Sequence, residues 1–392
     1  MLHRGVGSAA FGDQPSIRAC WGRLSSFRVS TVVAIEASSL LTPRTGVGRF
    51  VEILIDALSE LPGHPIEVEP YAISVRGRIP AGMRRVAYPT RPALVMWGRF
   101  NRPRVRAGRA AVLHGPNYVV PPTRIPSIVS VHDCWFLRNP EQIRGGVRLY
   151  GAALRRRVSE GAVVHVPSLH TGNEVREILN ASRVVVLPLG APPVDRGAPV
   201  PAFDGIGGRP YIVATATREP RKNLARLVQA FGAIAERHPD LALVLVGAEG
   251  PDQPAIDAAI RMLPAGGDRR VVILPYVDNR ERDGLVRGAR ALAFPSLDEG
   301  WGFPVLEAMA LGTPVVAANT GSLPEVCGDA AVLVDPLDVD ALADGLERVL
   351  VDEQLRRLLV SRGAARVAAY SPASCAASFA ELYARLANDG VG

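Results

Sequence analysis

Ten short apolar runs rich in valine, isoleucine and leucine punctuate this chain, and many are followed by a turn and a segment of helical spacing. They fall at 30–35, 111–113, 127–131, 162–166, 184–187, 211–215, 242–246, 271–274, 291–294 and 314–317. Helical periodicity lies between many of them, as at 50–58, 223–237, 283–289 and 340–351. Runs of three to six residues without alternation are strands buried on both faces. Strands alternating with helices predict parallel sheets covered on both sides, an α/β architecture.

A dense cluster of proline and glycine from Pro188 to Pro210 interrupts this rhythm. The charge changes sign there as well. Residues 1–200 carry 26 basic and 13 acidic groups, and residues 201–392 carry 19 and 25. Linkers are exposed and rich in such residues, so the boundary belongs here. The expectation is an N-terminal extension over 1–28, one Rossmann-like domain over 29–193 and a second over 194–372. A final helix over 373–392 would pack back on the first domain. Open parallel sheets bind ligands beyond their strand C-termini, which puts the site in the cleft between the two domains.

The densest chemistry lies in Phe294-Pro-Ser-Leu-Asp-Glu-Gly-Trp-Gly-Phe-Pro-Val-Leu-Glu. It leaves a strand, turns through Gly300 and Gly302, and enters a helix with Pro304 at its first position. Free N–H groups at such a helix start suit a phosphate. Glu299 and Glu307 bracket them and can accept hydrogen bonds from sugar or ribose hydroxyls. A dipole-stabilised helix glutamate beside an exposed loop acid would leave the same spacing.

The frame Glu299-Gly-Trp-Gly-Phe-Pro-Val-Leu-Glu307 resembles the signature of retaining glycosyltransferase family 4, whose fold is the two-domain GT-B arrangement. Further segments resemble that family in the same order: Arg44-Thr-Gly-Val-Gly-Arg-Phe, Leu113-His-Gly-Pro-Asn-Tyr, Val131-His-Asp, Arg218-Glu-Pro-Arg-Lys-Asn and Ser322-Leu-Pro-Glu-Val. Together they span about residues 30–385. The resemblance implies that Glu299 contacts the transferred sugar and Glu307 the ribose of the donor nucleotide. It implies that N–H groups around Trp301, Gly302 and Phe303 face sugar or diphosphate. His132 would lie near the transferred sugar, and Gly46 and Gly48 beside the donor diphosphate. His132, Lys222 and Glu299 form the candidate catalytic set.

Of 45 basic residues only Lys222 is a lysine. A departing diphosphate needs cationic stabilisation, and an ammonium supplies a compact point charge that a guanidinium fork does not. Its partner is either Arg218 or Arg221. No grouping of histidine, cysteine and carboxylate has metal-ligand spacing, so neither a metal nor a cofactor is expected. The same resemblance implies a nucleoside diphosphate sugar as donor, with GDP-mannose the first choice because the motifs look most like mannosyl- and rhamnosyl-type members. Competing readings are a nucleotide-sugar epimerase of the same fold, and a non-catalytic binder of nucleotide sugars or nucleic acid. A phosphorylase would need a second lysine for its pyridoxal group.

Residues 70–132 hold eleven arginines and no acid, with Met96, Trp97 and Phe100 among them. Basic clusters with interleaved aromatics suit an anionic membrane surface, and nucleic acid less well. Residues 76–109 would then bring the enzyme to a lipid-linked or glycan acceptor. Four scattered cysteines, no signal-like segment and no apolar run near ~20 residues fit a cytoplasmic protein, peripheral on the inner face of the plasma membrane.

Overall fold

The computed structural model describes residues 30–41, 46–63, 66–142, 148–203 and 206–389. The extension expected over 1–28 and the start of the glycine segment at Arg44 lie outside these. Seven strands form the first sheet: β1 Thr31–Glu36, β2 Ile66–Ile73, β3 Arg84–Val86, β4 Val112–Gly115, β5 Ser127–Ser130, β6 Val163–Val166 and β7 Val184–Val186. Six form the second: β8 Tyr211–Thr215, β9 Ala242–Val246, β10 Val271–Leu274, β11 Ala291–Phe294, β12 Val315–Ala318 and β13 Val332–Val334. The orders are β3-β2-β1-β4-β5-β6-β7 and β10-β9-β8-β11-β12-β13, and every printed pairing is parallel. Each sheet therefore reverses its strand order beside its first strand, which opens a crevice at the strand C-termini. This is the GT-B arrangement, two parallel-sheet domains facing a cleft.

Three strands escape the apolar-run criterion: β2, β3 and β13. In β2, Ile66 and Val68 pack on the core while Glu67 and Glu69 alternate outward to Arg109, at 2.5 and 3.0 Å. Pro70 is tolerated because β3 pairs only from Tyr71 onward, so no ladder bond is lost on that side. The helix Thr90–Phe100 was also hidden, by its arginines. It buries Ala93, Leu94 and Trp97 on one face, and a Cβ on Gly98 would lie 3.0 Å from Ala152 of the neighbouring helix.

The chain crosses between domains twice, and the crossings touch. Ala191 N–H donates to Tyr370 O at 2.6 Å, and a Cβ on Gly190 would stand 2.8 Å from Pro372 Cα. The helix Pro372–Asp389 then lies on the first domain. Its Phe379 ring is 5.9 Å from Phe50 and 4.6 Å from His165, and Tyr383 hydroxyl meets His114 Nδ1 at 2.8 Å.

Candidate active site

The loop after β11 is strapped in place from three sides. Leu297 N–H donates to Arg221 O at 2.8 Å, Ser322 N–H to Glu299 O at 2.9 Å, and Ser322 Oγ to Trp301 O at 2.8 Å. Gly300 faces the opposite domain so closely that a Cβ would sit 1.4 Å from the His132 carbonyl oxygen. Backbone meets backbone there, and any side chain would push the domains apart. Gly302 then adopts φ 131 and starts the helix Phe303–Ala310 without a side-chain cap. Val305 and Leu306 N–H donate to Gly302 O at 3.1 and 3.3 Å and Pro304 has no N–H, so Phe303 carries the first-turn N–H that can face a ligand. Pro304 is the second residue of that helix rather than the first.

Glu299 is met by both cations of the second-domain turn. Lys222 Nζ lies 2.5 Å from Oε1 and Arg221 Nη1 lies 3.0 Å from Oε2. Burial alone would raise this carboxyl, but Arg221 and Lys222 outweigh it and hold it down to about 2, from an ordinary 4.5. Lys222 also sits over the Phe294 ring at 5.5 Å. The turn is pinned by Asn223, at φ 60, whose Nδ2 donates to Pro295 O and Pro336 O at 3.1 and 2.8 Å. Its positioning role was hidden in the sequence, although left-handed asparagine after a short turn is a readable signal.

Arg218 and Arg221 send their guanidinium groups to different places. Arg221 reaches Glu299. Arg218 is buried, and its Nη1 donates to Gly247 O at 3.1 Å and Leu274 O at 3.4 Å. It ties the ends of β9 and β10 together and is not part of the cation pair.

Glu307 is 2% exposed and bears on a second pocket. Arg49, from the helix Gly46–Ser59 of the first domain, pairs with its Oε1, and Arg282 Nε lies 3.6 Å from Oε2. The pocket encloses about 220 Å³ and runs from Thr215 and Gly247 past Tyr276 and Asn279 to Phe303. Gly46 faces it, since a Cβ there would meet Phe303 at 3.8 Å. Gly48 does not. It lies inside the helix and backs onto Ser39 O, where a Cβ would come within 3.1 Å, so close packing explains it. Arg49 and Arg282 were missed as site residues because ion pairs across 258 and 25 positions leave no local pattern.

His132 follows β5 at the cleft. Its Nε2–H donates to Pro116 O at 2.7 Å, which leaves Nδ1 as an acceptor. Burial lowers its pKa despite Pro116 and Asp133, so it is neutral at pH 7. Phe50 and Tyr118 hold the ring edge-on from 5.4 and 5.6 Å. His114 and His165 belong to the core instead, both joined to Ser130 Oγ at 2.8 Å. The Trp301 side chain is buried against Tyr370, at 5.0 Å, so only its backbone can face a ligand.

Asp298, next to Glu299, turns to the other domain. Arg138 pairs with it and reaches Glu174 at 2.8 Å, while His170 Nε2 stands 3.4 Å from both carboxylates. Glu325 accepts the Leu169 N–H at 2.9 Å beside them. His170, Glu174 and Asp298 are types that bind metals, and spacing over 128 positions could not show their meeting. Here the Arg138 guanidinium stands between the two carboxylates.

Residues 202–366 match the family model described as glycosyl transferases group 1. The chain carries a group 1 glycosyltransferase domain. It is 29% identical over 327 residues to the O-antigen chain mannosyltransferase B of Escherichia coli, covering 79% of this chain and 84% of that one. It is 32% identical over 199 residues to the phosphatidyl-myo-inositol mannosyltransferase of Mycolicibacterium smegmatis, half of each chain. Among solved structures, sucrose-phosphate synthase from Thermosynechococcus elongatus superposes with a TM-score of 0.69 at 20% identity, over 91% of this chain and 99% of that one. Residues 202–366 thus match the glycosyl transferases group 1 model within a GT-B fold, and the chain's relatives include mannosyltransferases.

Proposed function

We propose that this glycosyltransferase moves a mannosyl group from a nucleoside diphosphate sugar, first choice GDP-mannose, to a glycan or lipid-linked acceptor with retention at the sugar carbon and without a metal. The observation that carries the reading is the Lys222–Arg221–Glu299 cluster at an uncapped helix start, one turn from Glu307. A bound diphosphate competes with Glu299 for the two cations. Once they turn to the phosphates, the carboxylate is free to accept from hydroxyls of the sugar. Glu307, released in the same way from Arg49, takes the ribose. The bond from the sugar carbon to the diphosphate oxygen breaks with its electrons going to the phosphate, where Lys222, Arg221 and the Phe303 N–H spread the charge. The acceptor oxygen bonds from the same face and its proton passes to the departing phosphate. His132 Nδ1 positions a sugar hydroxyl throughout. Melting curves with a panel of nucleotide sugars test this, because a donor stabilises the folded state it binds. GDP-mannose should raise Tm, and transfer should survive EDTA. Activity abolished by EDTA and restored by magnesium refutes the metal-free part.

The first domain offers the membrane-facing surface. Trp97, expected among its aromatics, is only 1% exposed and belongs to the core. Arg84, Arg85 and Arg109 are likewise engaged inside the domain, on Arg106 O, the Ser74–Gly77 loop and the β2 glutamates. What remains outward on the helix Thr90–Phe100 is Val95, Met96 and Phe100, at 41–53% exposure, beside Arg91 and Arg99. Apolar residues flanked by arginines fit an anionic bilayer surface. Among the described residues no helix is long and apolar enough to cross a membrane. Sedimentation with anionic vesicles should be lost at high salt and in Met96→Ser/Phe100→Ser. Failure of the wild type to sediment at low salt would refute the docking.

A further inference from the structure

At the opposite pole of the first domain, behind the cleft, Arg157 is 5% exposed. Nη1 donates to Asn101 Oδ1 at 3.3 Å and Nη2 to Ser127 Oγ at 2.9 Å, while Nε is buried with no partner. Among the described residues no carboxylate lies within ion-pairing distance of it. Isolated buried charge is expensive, and neutral acceptors do not cancel it. Desolvation disfavours its charged form, Glu160 counters this, and Arg104 and Arg156 add repulsion. The nearest acids are committed or peripheral. Glu160 pairs with Arg156 at 2.7 Å, and Asp389 is exposed at the end of the last helix.

Arg157 lines a pocket of about 430 Å³ at the N-terminal ends of β5 and β6, the reverse of the cleft side. Arg104, Arg124 and Arg183 share its wall. Arg183 donates to Gly161 O at 3.0 Å, while Arg104 and Arg124 are exposed and form no ion pair among the described residues. Four guanidinium groups against two acids leave a surplus of two positive charges, and guanidinium forks match the oxygens of a tetrahedral dianion. We propose that this pocket binds the phosphate of a phosphomonoester, at a site separate from the donor cleft. A second groove shares Arg104, Thr123, Arg124 and Ile125 with it and continues past Met96, Pro103 and Val105. That groove gives an apolar tail somewhere to lie, so the phosphate belongs either to a small metabolite or to a lipid headgroup.

The test is calorimetric titration of the full chain with inorganic phosphate, with chloride holding ionic strength constant. Saturable binding should persist in Lys222→Ala, which weakens only the cleft. It should fall at least about tenfold in Arg104→Gln/Arg124→Gln, where two charge-assisted contacts go while the Arg157 packing stays intact. Arg157→Met should abolish it, and a circular dichroism spectrum like that of the wild type separates this from misfolding. Dihexanoyl phosphatidate binding more tightly than glycerol phosphate assigns a lipid source, and equal affinities assign a soluble one. Absent phosphate binding, binding unchanged in the double variant, or binding lost only in Lys222→Ala overturns the proposal. None of these readouts uses transfer, so the cleft reading stands or falls on its own.

Discussion

Asp298 and Glu299 are neighbours in one loop, both buried, and they turn opposite ways. Glu299 turns inward to two cations of its own domain, both of which a diphosphate can claim. Asp298 turns outward to Arg138 and His170 of the other domain. The first carboxylate is held in a way that a ligand can undo. The second holds the domains against each other. One peptide step separates a carboxylate paired within its own domain from one paired across to the other, and the difference lies in who supplies the positive charge.

The sharpest way to break this comparison is to remove the exchangeable cation. Lys222→Ala should lower kcat by roughly 10²–10³, the scale of losing one electrostatic stabiliser of a leaving group. Lys222→Arg should recover only part of that, because a fork cannot occupy the same point. Full activity in the arginine variant would make the single lysine a coincidence. Next in size is Glu307→Ala, which takes an acceptor from Arg49, while Arg282 keeps its ion pair with Asp283 at 2.7 Å. Donor affinity should fall about tenfold, close to one charged hydrogen bond, with kcat less affected. Unchanged affinity by titration would remove Glu307 from the donor site.

The smallest expected effect sharpens the Asp298 side. Asp298 raises the His170 pKa above its ordinary 6.5; burial opposes this, Glu174 adds to the rise and Arg138 opposes it. A histidine raised in the folded state contributes stability that is complete below pH 6.5 and is lost as pH climbs through the raised value. Tm should therefore decline gently above neutrality in the wild type, and His170→Gln should flatten that slope while leaving transfer in place. An identical slope in the variant would mean that His170 does not titrate at this interface.

How far the sequence could be read follows from where information is local. The ten apolar runs all sit at or within a residue or two of observed strands, because burial on both faces leaves a continuous signature. Strand β2 was hidden because one of its faces meets arginine, so Glu67 and Glu69 break the run. The same holds for the site. Lys222, Arg221 and Glu299 lie in two short segments whose glycine and proline spacing is legible, although their mutual pairing is not. Arg49 on Glu307 and Arg138 on Asp298 are meetings of the two domains. Nothing in either segment encodes its partner, just as nothing in Arg218-Glu-Pro-Arg221 shows that the first arginine reaches carbonyls at the ends of β9 and β10 while the second reaches Glu299.

The last helix gives the chain an order of assembly. Phe50 and His114 leave the ribosome well before Tyr383, which covers His114 and is made 269 residues after it. The leading domain must therefore wait, with that face bare, while the whole of the trailing domain is translated and free to collapse. Synthesis of the helix Pro372–Asp389, and not completion of residues 29–193, is the moment at which the first domain gains its roof. A nascent fragment stopped anywhere before residue 372 would present an unroofed apolar surface to whatever chaperone or protease it met.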